Sequence, residues 1–471
     1  MTKQEIYELE KAVDQVFQIA DRFGLDPFPL HFELVPPGIM YEFGAYGLPG
    51  RFSHWTHGRA YQQQKIMYDY GLSKIYELVI NTDPCYAFLM EGNTLLQNKL
   101  VVAHVVGHSD FFKNNAYFSK TNRKMLDTVT LNAERIHKYE FQHGRDEVEQ
   151  FLDAVLAIQE HVDPHSDLRE RARRARERDG AAEQHPPHHT AYDDLLSSEE
   201  TPQVVTLPTH HRIPEEPDKD ILLFIAENGP EIEEWQRDAI EIVRNEMLYF
   251  VPQMQTKIMN EGWAAYWHLR IMRELDLPEA EHIEFAQLHA NVIAPSRSSM
   301  NPYLVGLKMF EDIERRWDNP TEEEIREFGR GTGQGKAKIF DVRETECDQS
   351  FIRNYLTQDL VDDLDLYLYK VEGDEWKVVE KNWRRIMEMV VTGMNNFGYP
   401  YIVVEDGDYR RNRELYLKHV YEEQEIDIDY AEKTLLYVYQ LWKRPVHLET
   451  VLNGKGIVLT YDGEKNTKRV L

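Results

Sequence analysis

Cysteine is scarce: the 471-residue chain holds two, Cys85 and Cys347. That excludes a disulfide framework and a cysteine-rich zinc site, since neither belongs to a CxxC pair. Long apolar runs are missing too. The most apolar stretch, Leu100 to Gly107, is eight residues with a histidine inside it, whereas a membrane span needs ~20. The first residues, Met1-Thr-Lys-Gln-Glu-Ile, are charged and amphipathic, unlike a basic stub followed by an apolar block. Basic charge is in the minority: 54 Lys and Arg stand against 82 Asp and Glu, a net −28. Counterion release needs clustered cations, so neither nucleic acid nor an anionic membrane is an expected partner. No GxSxG string and no cysteine with a convincing partner points to covalent catalysis. What these absences leave is an expected large, soluble, intracellular protein.

The hydrophobic fraction of 42% supports a real core, and the length predicts two or three folding units. Apolar residues recur at helical spacing from the start, with Ile6, Leu9, Val13, Val16, Phe17 and Ala20 on one face. A Pro/Gly-rich segment (27–50) precedes expected helices near 57–80, 94–114, 122–143 and 145–161. Residues 1–163 therefore read as the first part of a mainly α core, and 218–318 as its second part. Between them, 164–217 carries seven of the 21 prolines and no Trp or Phe. Such composition cannot offset its ordering entropy, so a flexible linker is expected there. A connector follows at 319–338, whose Gly329-Arg-Gly-Thr-Gly-Gln-Gly-Lys336 fails the phosphate-loop pattern. From 339 to 471 the period shifts to alternation, predicting a smaller α+β domain.

The strongest chemical signal is His104-Val-Val-Gly-His108. Four residues at 100° each put both imidazoles on one helix face, ~6 Å apart along the axis. That is how an HExxH helix offers two ligands to one zinc, although no Glu follows His104. A second signal is Asn260-Glu261-Gly-Trp-Ala-Ala-Tyr-Trp-His268, a carboxylate in a helix whose Gly262, Ala264 and Ala265 permit close approach of a neighbour. His268 lies seven residues on, ~10.5 Å along the axis, which suits substrate contact or support of the ligands better than ligation. This segment resembles the EGWAxY helix that supplies the third ligand in several Glu-type zinc peptidases. His104, His108 and Glu261 are thus the expected metal ligands, with zinc the expected ion. Asp110, Glu91 and His268 are the candidates for a base, and Asp110 and His268 are taken as the catalytic pair. Weaker candidates are His54 and His57, the ExxH at Glu134 and His137, and His289, Glu311 and Asp312.

Long strings also carry a family likeness. Arg51-Phe-Ser-His-Trp55, His104-Val-Val-Gly-His-Ser-Asp-Phe-Phe112, Met259-Asn-Glu-Gly-Trp-Ala-Ala-Tyr-Trp-His268, Asn301-Pro-Tyr-Leu-Val-Gly306 and Gly398-Tyr-Pro-Tyr-Ile-Val-Val404 resemble the SpoVR (stage V sporulation protein R) family. The resemblance runs over nearly the whole chain except the linker. It implies a cytoplasmic protein of the sporulating cell, acting in assembly of the spore-cortex peptidoglycan, and supplies no settled activity. Three chemistries stay open. The favoured one is a metal-dependent hydrolase with a zincin-like helical core, acting on an amide bond of a cell-wall precursor or peptide. A non-catalytic scaffold or regulator is the alternative, and a carboxylate–histidine di-iron oxidase is the third.

Overall fold

The computed structural model describes residues 1–70, 75–166, 168–169, 212–295, 299–372 and 375–471. Most of the expected linker, 164–217, lies outside the described residues. The chain is mainly helical with a C-terminal sheet. It forms two compact units, Met1–Asp146 with Tyr249–Tyr399, and Glu147–Leu248 with Pro400–Leu471.

This division differs from the expected segments at both ends. Residues 339–399 were expected in the α+β domain, yet Ile339, Val342, Phe351, Leu360, Ile386 and Val391 are buried in the core of the first unit. Their short helices have one apolar face each, and the nearest large apolar surface is that of the long helices. Conversely, helix Ile221–Asn228 belongs to the second unit. There Phe224 stacks on Trp442 at 5.7 Å, and Asp218 exchanges backbone hydrogen bonds with Val404.

In the first unit, strands β1 (Leu30–Val35), β2 (Glu77–Ile80) and β3 (Cys85–Met90) form a sheet of order β1-β3-β2. β1 runs parallel to β3, and β2 runs antiparallel to it. Periodicity did not reveal this sheet. The helix expected near 57–80 ends at Asp69, and Val79 and Ile80 go into β2 instead. A short apolar run suits strand and helix alike, and its pairing with β3 decides the matter. A separate hairpin joins β4 (Leu368–Glu372) to β5 (Glu375–Glu380).

Three helices dominate the core of this unit. The histidine helix, Leu95–Asn114, starts at a Thr94–Gln97 capping box and is buried on nearly all sides. The glutamate helix, Lys257–Glu274, lacks a side-chain cap of its own. Asp348 supplies one from a distance, accepting the N–H groups of Ile258 and Met259 at 2.8 and 2.9 Å. The third, Pro302–Asp318, opens with Asn301 as N-cap and proline in its first turn. Small residues let the glutamate helix lie against both others. A Cβ on Gly107 would sit 2.8 Å from the Cα of Ala264, and one on Gly306 would sit 2.2 Å from the carbonyl of Ile258.

The second unit holds a five-stranded sheet of order β10-β9-β8-β7-β6. Its strands are β6 (Ile402–Tyr409), β7 (Glu414–His419), β8 (Val446–Leu452), β9 (Lys455–Tyr461) and β10 (Asn466–Val470). Only β7 and β8 pair in parallel, joined through helix Ile428–Trp442. β8 and β9 form a hairpin, with Leu452 opposite Lys455. Asn453 and Gly454 turn the corner at φ 50° and 71°, the left-handed pair that a two-residue loop requires.

Candidate metal centre

His104 and His108 project from the histidine helix toward Glu261 on the glutamate helix. The Nε2 atoms of the two rings lie 3.7 and 3.4 Å from Oε2 of Glu261. Three ligand atoms bonded at ~2.0–2.1 Å to one tetrahedral ion stand roughly 3.3–3.4 Å from each other, so the spacing suits a shared cation. It is long for hydrogen bonds, which run 2.7–3.2 Å. Oε2 of Glu261 is buried and has no hydrogen-bond partner among the described residues. The imidazoles are 6% and 8% exposed, and the Glu261 side chain 19%. The cluster therefore opens on the carboxylate side. Among the described residues, these three are the group of His, Cys, Asp or Glu placed to hold an ion.

Electrostatics reinforce the pairing. Burial alone would raise the Glu261 carboxyl, but His108 and His104 outweigh it and hold that group below the usual carboxylate range. His104 is pushed down to about 4, first by burial and then by its neighbour His108. Burial also works against the charge on His108. There the Glu261 charge, with the hydrogen bond to Asn260, reverses the outcome and raises its affinity for a proton. Of the two rings, His108 therefore holds a proton the more readily. A divalent cation would take that proton's place.

Each ligand is steered from behind. Oδ1 of Asn260 lies 2.9 Å from Nδ1 of His108, and Nδ1 of His268 lies 2.9 Å from Nδ1 of His104. His268 is 1% exposed, and its other nitrogen meets Nδ1 of His289 at 2.9 Å. Both of its ring nitrogens are engaged inside the protein, so it faces His104 and not an open substrate site. Burial and the surrounding imidazoles hold it well below its ordinary pKa.

Asp110 points elsewhere. Its carboxylate accepts the Asp26 N–H and the Trp263 indole N–H, both at 2.8 Å, and lies 3.4 Å from Arg343. It is fully buried. Its bond to Trp263 clamps the histidine helix to the glutamate helix, with Asp110 two residues beyond His108 and Trp263 two beyond Glu261. Reach to a substrate proton comes first in assigning a base, and these contacts give Asp110 none. Glu91 is exposed. The ExxH pair Glu134 and His137 is exposed as well, with His137 bonded to Glu140. Asp312 is held by Arg315 and Arg316, and Glu311 by Lys308. His54 caps helix Trp55–Asp69.

Two further residues enter the site without any motif. Glu77, at the start of β2, lies close enough to feel the charges of His108 and Glu261. Burial first, then Glu261, pushes its carboxyl up to about 7, against the pull of His108. Tyr303, in the first turn of Pro302–Asp318, stacks on His104 with ring centroids 5.8 Å apart. Burial, then the charges of Glu261 and Glu77, raise its phenol. A lone charge beginning an apolar strand was the only sequence trace of Glu77. Tyr303 lay inside the Asn301-Pro-Tyr string without a chemical signature.

A family model described as SpoVR like protein matches residues 3–399, and one described as SpoVR-like C-terminal domain matches 400–453. The junction between the two matches coincides with one of the three chain boundaries between the structural units, that at Tyr399 and Pro400, while the first match also takes in 147–248 of the second unit. The chain is 30% identical over 477 residues to an uncharacterized protein, YcgB, of Escherichia coli (strain K12), covering 94% of this chain and 91% of that protein. No solved structure matches. No helix among the described residues is long and apolar enough to cross a membrane. With family models spanning nearly its whole length, the chain belongs to the SpoVR family.

Proposed function

We propose that this protein is a metal-dependent hydrolase of amide or peptide bonds, with His104, His108 and Glu261 holding one zinc ion. The observation that carries the reading is the orphaned Oε2 of Glu261, facing two imidazole nitrogens at 3.4 and 3.7 Å. Two neutral imidazoles and a carboxylate suit zinc and leave a position open, as catalytic sites do and closed structural sites do not. A bound ion supplies an acidified water, its pKa lowered toward ~7. Glu77 is the group suited to accept the water proton, because its carboxyl titrates near neutrality and faces the same cluster. Tyr303 offers a hydroxyl donor beside Glu261 for charge developing on a carbonyl oxygen. A zincin-like arrangement is supported by the sheet of β1, β2 and β3, because β2 and β3 both contact the histidine helix.

The family's name brings sporulation with it, and peptide cross-links of spore-cortex peptidoglycan, or their precursors, are the substrates it suggests. A cytoplasmic site of action in the sporulating cell would make a precursor the more accessible of the two. Elemental analysis of the purified protein, paired with turnover on peptidoglycan-derived amides, tests the reading. About one zinc per chain and hydrolysis abolished by Glu261→Gln would support it. Stoichiometric metal without turnover would favour a scaffold or regulator of cortex assembly. Iron with visible absorption would favour the oxidase.

A further inference from the structure

Three imidazoles run in a row from the cluster toward solvent. Nδ1 of His104 meets Nδ1 of His268 at 2.9 Å, and Nε2 of His268 meets Nδ1 of His289 at 2.9 Å. The first two residues are buried, and the third, on helix Glu279–Val292, is partly exposed. A contact between two ring nitrogens needs one N–H and one lone pair. For three neutral rings, this leaves two arrangements. In one, His104 donates from Nδ1 to His268, and His268 donates from Nε2 to His289. The Nε2 lone pair of His104 then faces Glu261. In the other, every proton is shifted the opposite way, and His104 turns an Nε2–H toward Oε2 of Glu261.

We infer that His268 and His289 are positioning residues whose hydrogen-bond direction sets the metal-binding tautomer of His104, so that the state of the metal centre is transmitted to His289. The inference rests on the metal reading given above. An ion needs the Nε2 lone pair of His104, so only the outward-donating arrangement can hold it. Without an ion, the Glu261 oxygen attracts an N–H, which favours the inward-donating one. The row thus has two discrete states, and the cation binds one of them. Removing His268 deprives the His104 Nδ1–H of its acceptor, a loss of the kind that typically costs ligands 10- to 100-fold in metal affinity.

The test uses the full chain, stripped of metal and titrated with Zn²⁺. Affinity comes from chelator competition, and histidine-selective ¹⁵N spectra show which ring nitrogens carry protons. Expected results are a zinc affinity about 10- to 100-fold weaker for His268→Leu, with most of it restored in His268→Gln, whose amide oxygen can accept from His104. Zinc should also convert Nδ1 of His289 from protonated to unprotonated in the wild type. Equal zinc affinity in the wild type and a folded His268→Leu variant would overturn the positioning role and leave the metal site standing. An unchanged His289 tautomer would overturn the transmission. A wild-type chain that binds no zinc would overturn the metal reading and this inference together.

Discussion

Gly262 and Gly306 meet backbone to backbone: a Cβ added to Gly262 would lie 2.3 Å from the Cα of Gly306. The contact sits one residue after Glu261 and three after Tyr303, so it sets how closely those two side chains approach. Gly306→Ala should force the helices apart and cost roughly 1–3 kcal/mol, as overpacking does. Zinc affinity should fall with it. Urea unfolding together with a metal titration checks both, and a variant as stable as the wild type would mean that the helices yield without strain.

Glu77→Gln keeps the shape of the side chain and removes its ability to take a proton. Turnover should drop by about 10²–10⁴-fold while bound zinc is retained. The pH behaviour of the metal-free protein should change as well. A carboxyl raised from 4.5 to about 7 on folding binds more protons folded than unfolded, so its contribution to stability declines as pH rises through that window. The Gln variant should lose less stability between pH 4.5 and 7 than the wild type. Paired thermal melts across that range decide the point.

Asp110→Asn should behave in the opposite sense. Its carboxylate serves Trp263, Asp26 and Arg343. The substitution should therefore lower stability by roughly 1–3 kcal/mol and leave the pH optimum of any hydrolysis where it was. A displaced optimum would return Asp110 to the list of proton-transfer groups.

His57 gives a second pH signature. Burial, then Arg51 and His54, depress its pKa from 6.5 to about 3. The unfolded chain takes up this proton first, so the stability it contributes is complete above pH 6.5 and is lost as pH falls toward 3. By pH 4 the loss from this group should be on the order of 3 kcal/mol. His57→Leu should flatten the acid limb of a stability–pH curve, measured by denaturant unfolding. An unchanged limb would show that other buried histidines govern it.

The sequence by itself determined what depends on local geometry. The i, i+4 spacing put His104 and His108 on one face because a helix repeats every 3.6 residues. Gly262, Ala264 and Ala265 announced close helix packing. The uncommon strings around these residues carried the family. What only the tertiary structure decided is which distant groups converge. Glu77 reaches the cluster because β2 pairs with β3, and no periodicity signals a four-residue strand's partner. His268 looked independent of the metal when measured along its own helix, yet it meets His104 across a helix contact made at Gly107 and Ala264. Asp110 turned inward because Trp263 and Arg343, from other elements, offered donors where its side chain is fully buried. The helices from Ile339 to Gly393 joined the first unit for a similar reason. An amphipathic face shows that it must be buried, and only the packed fold shows against what.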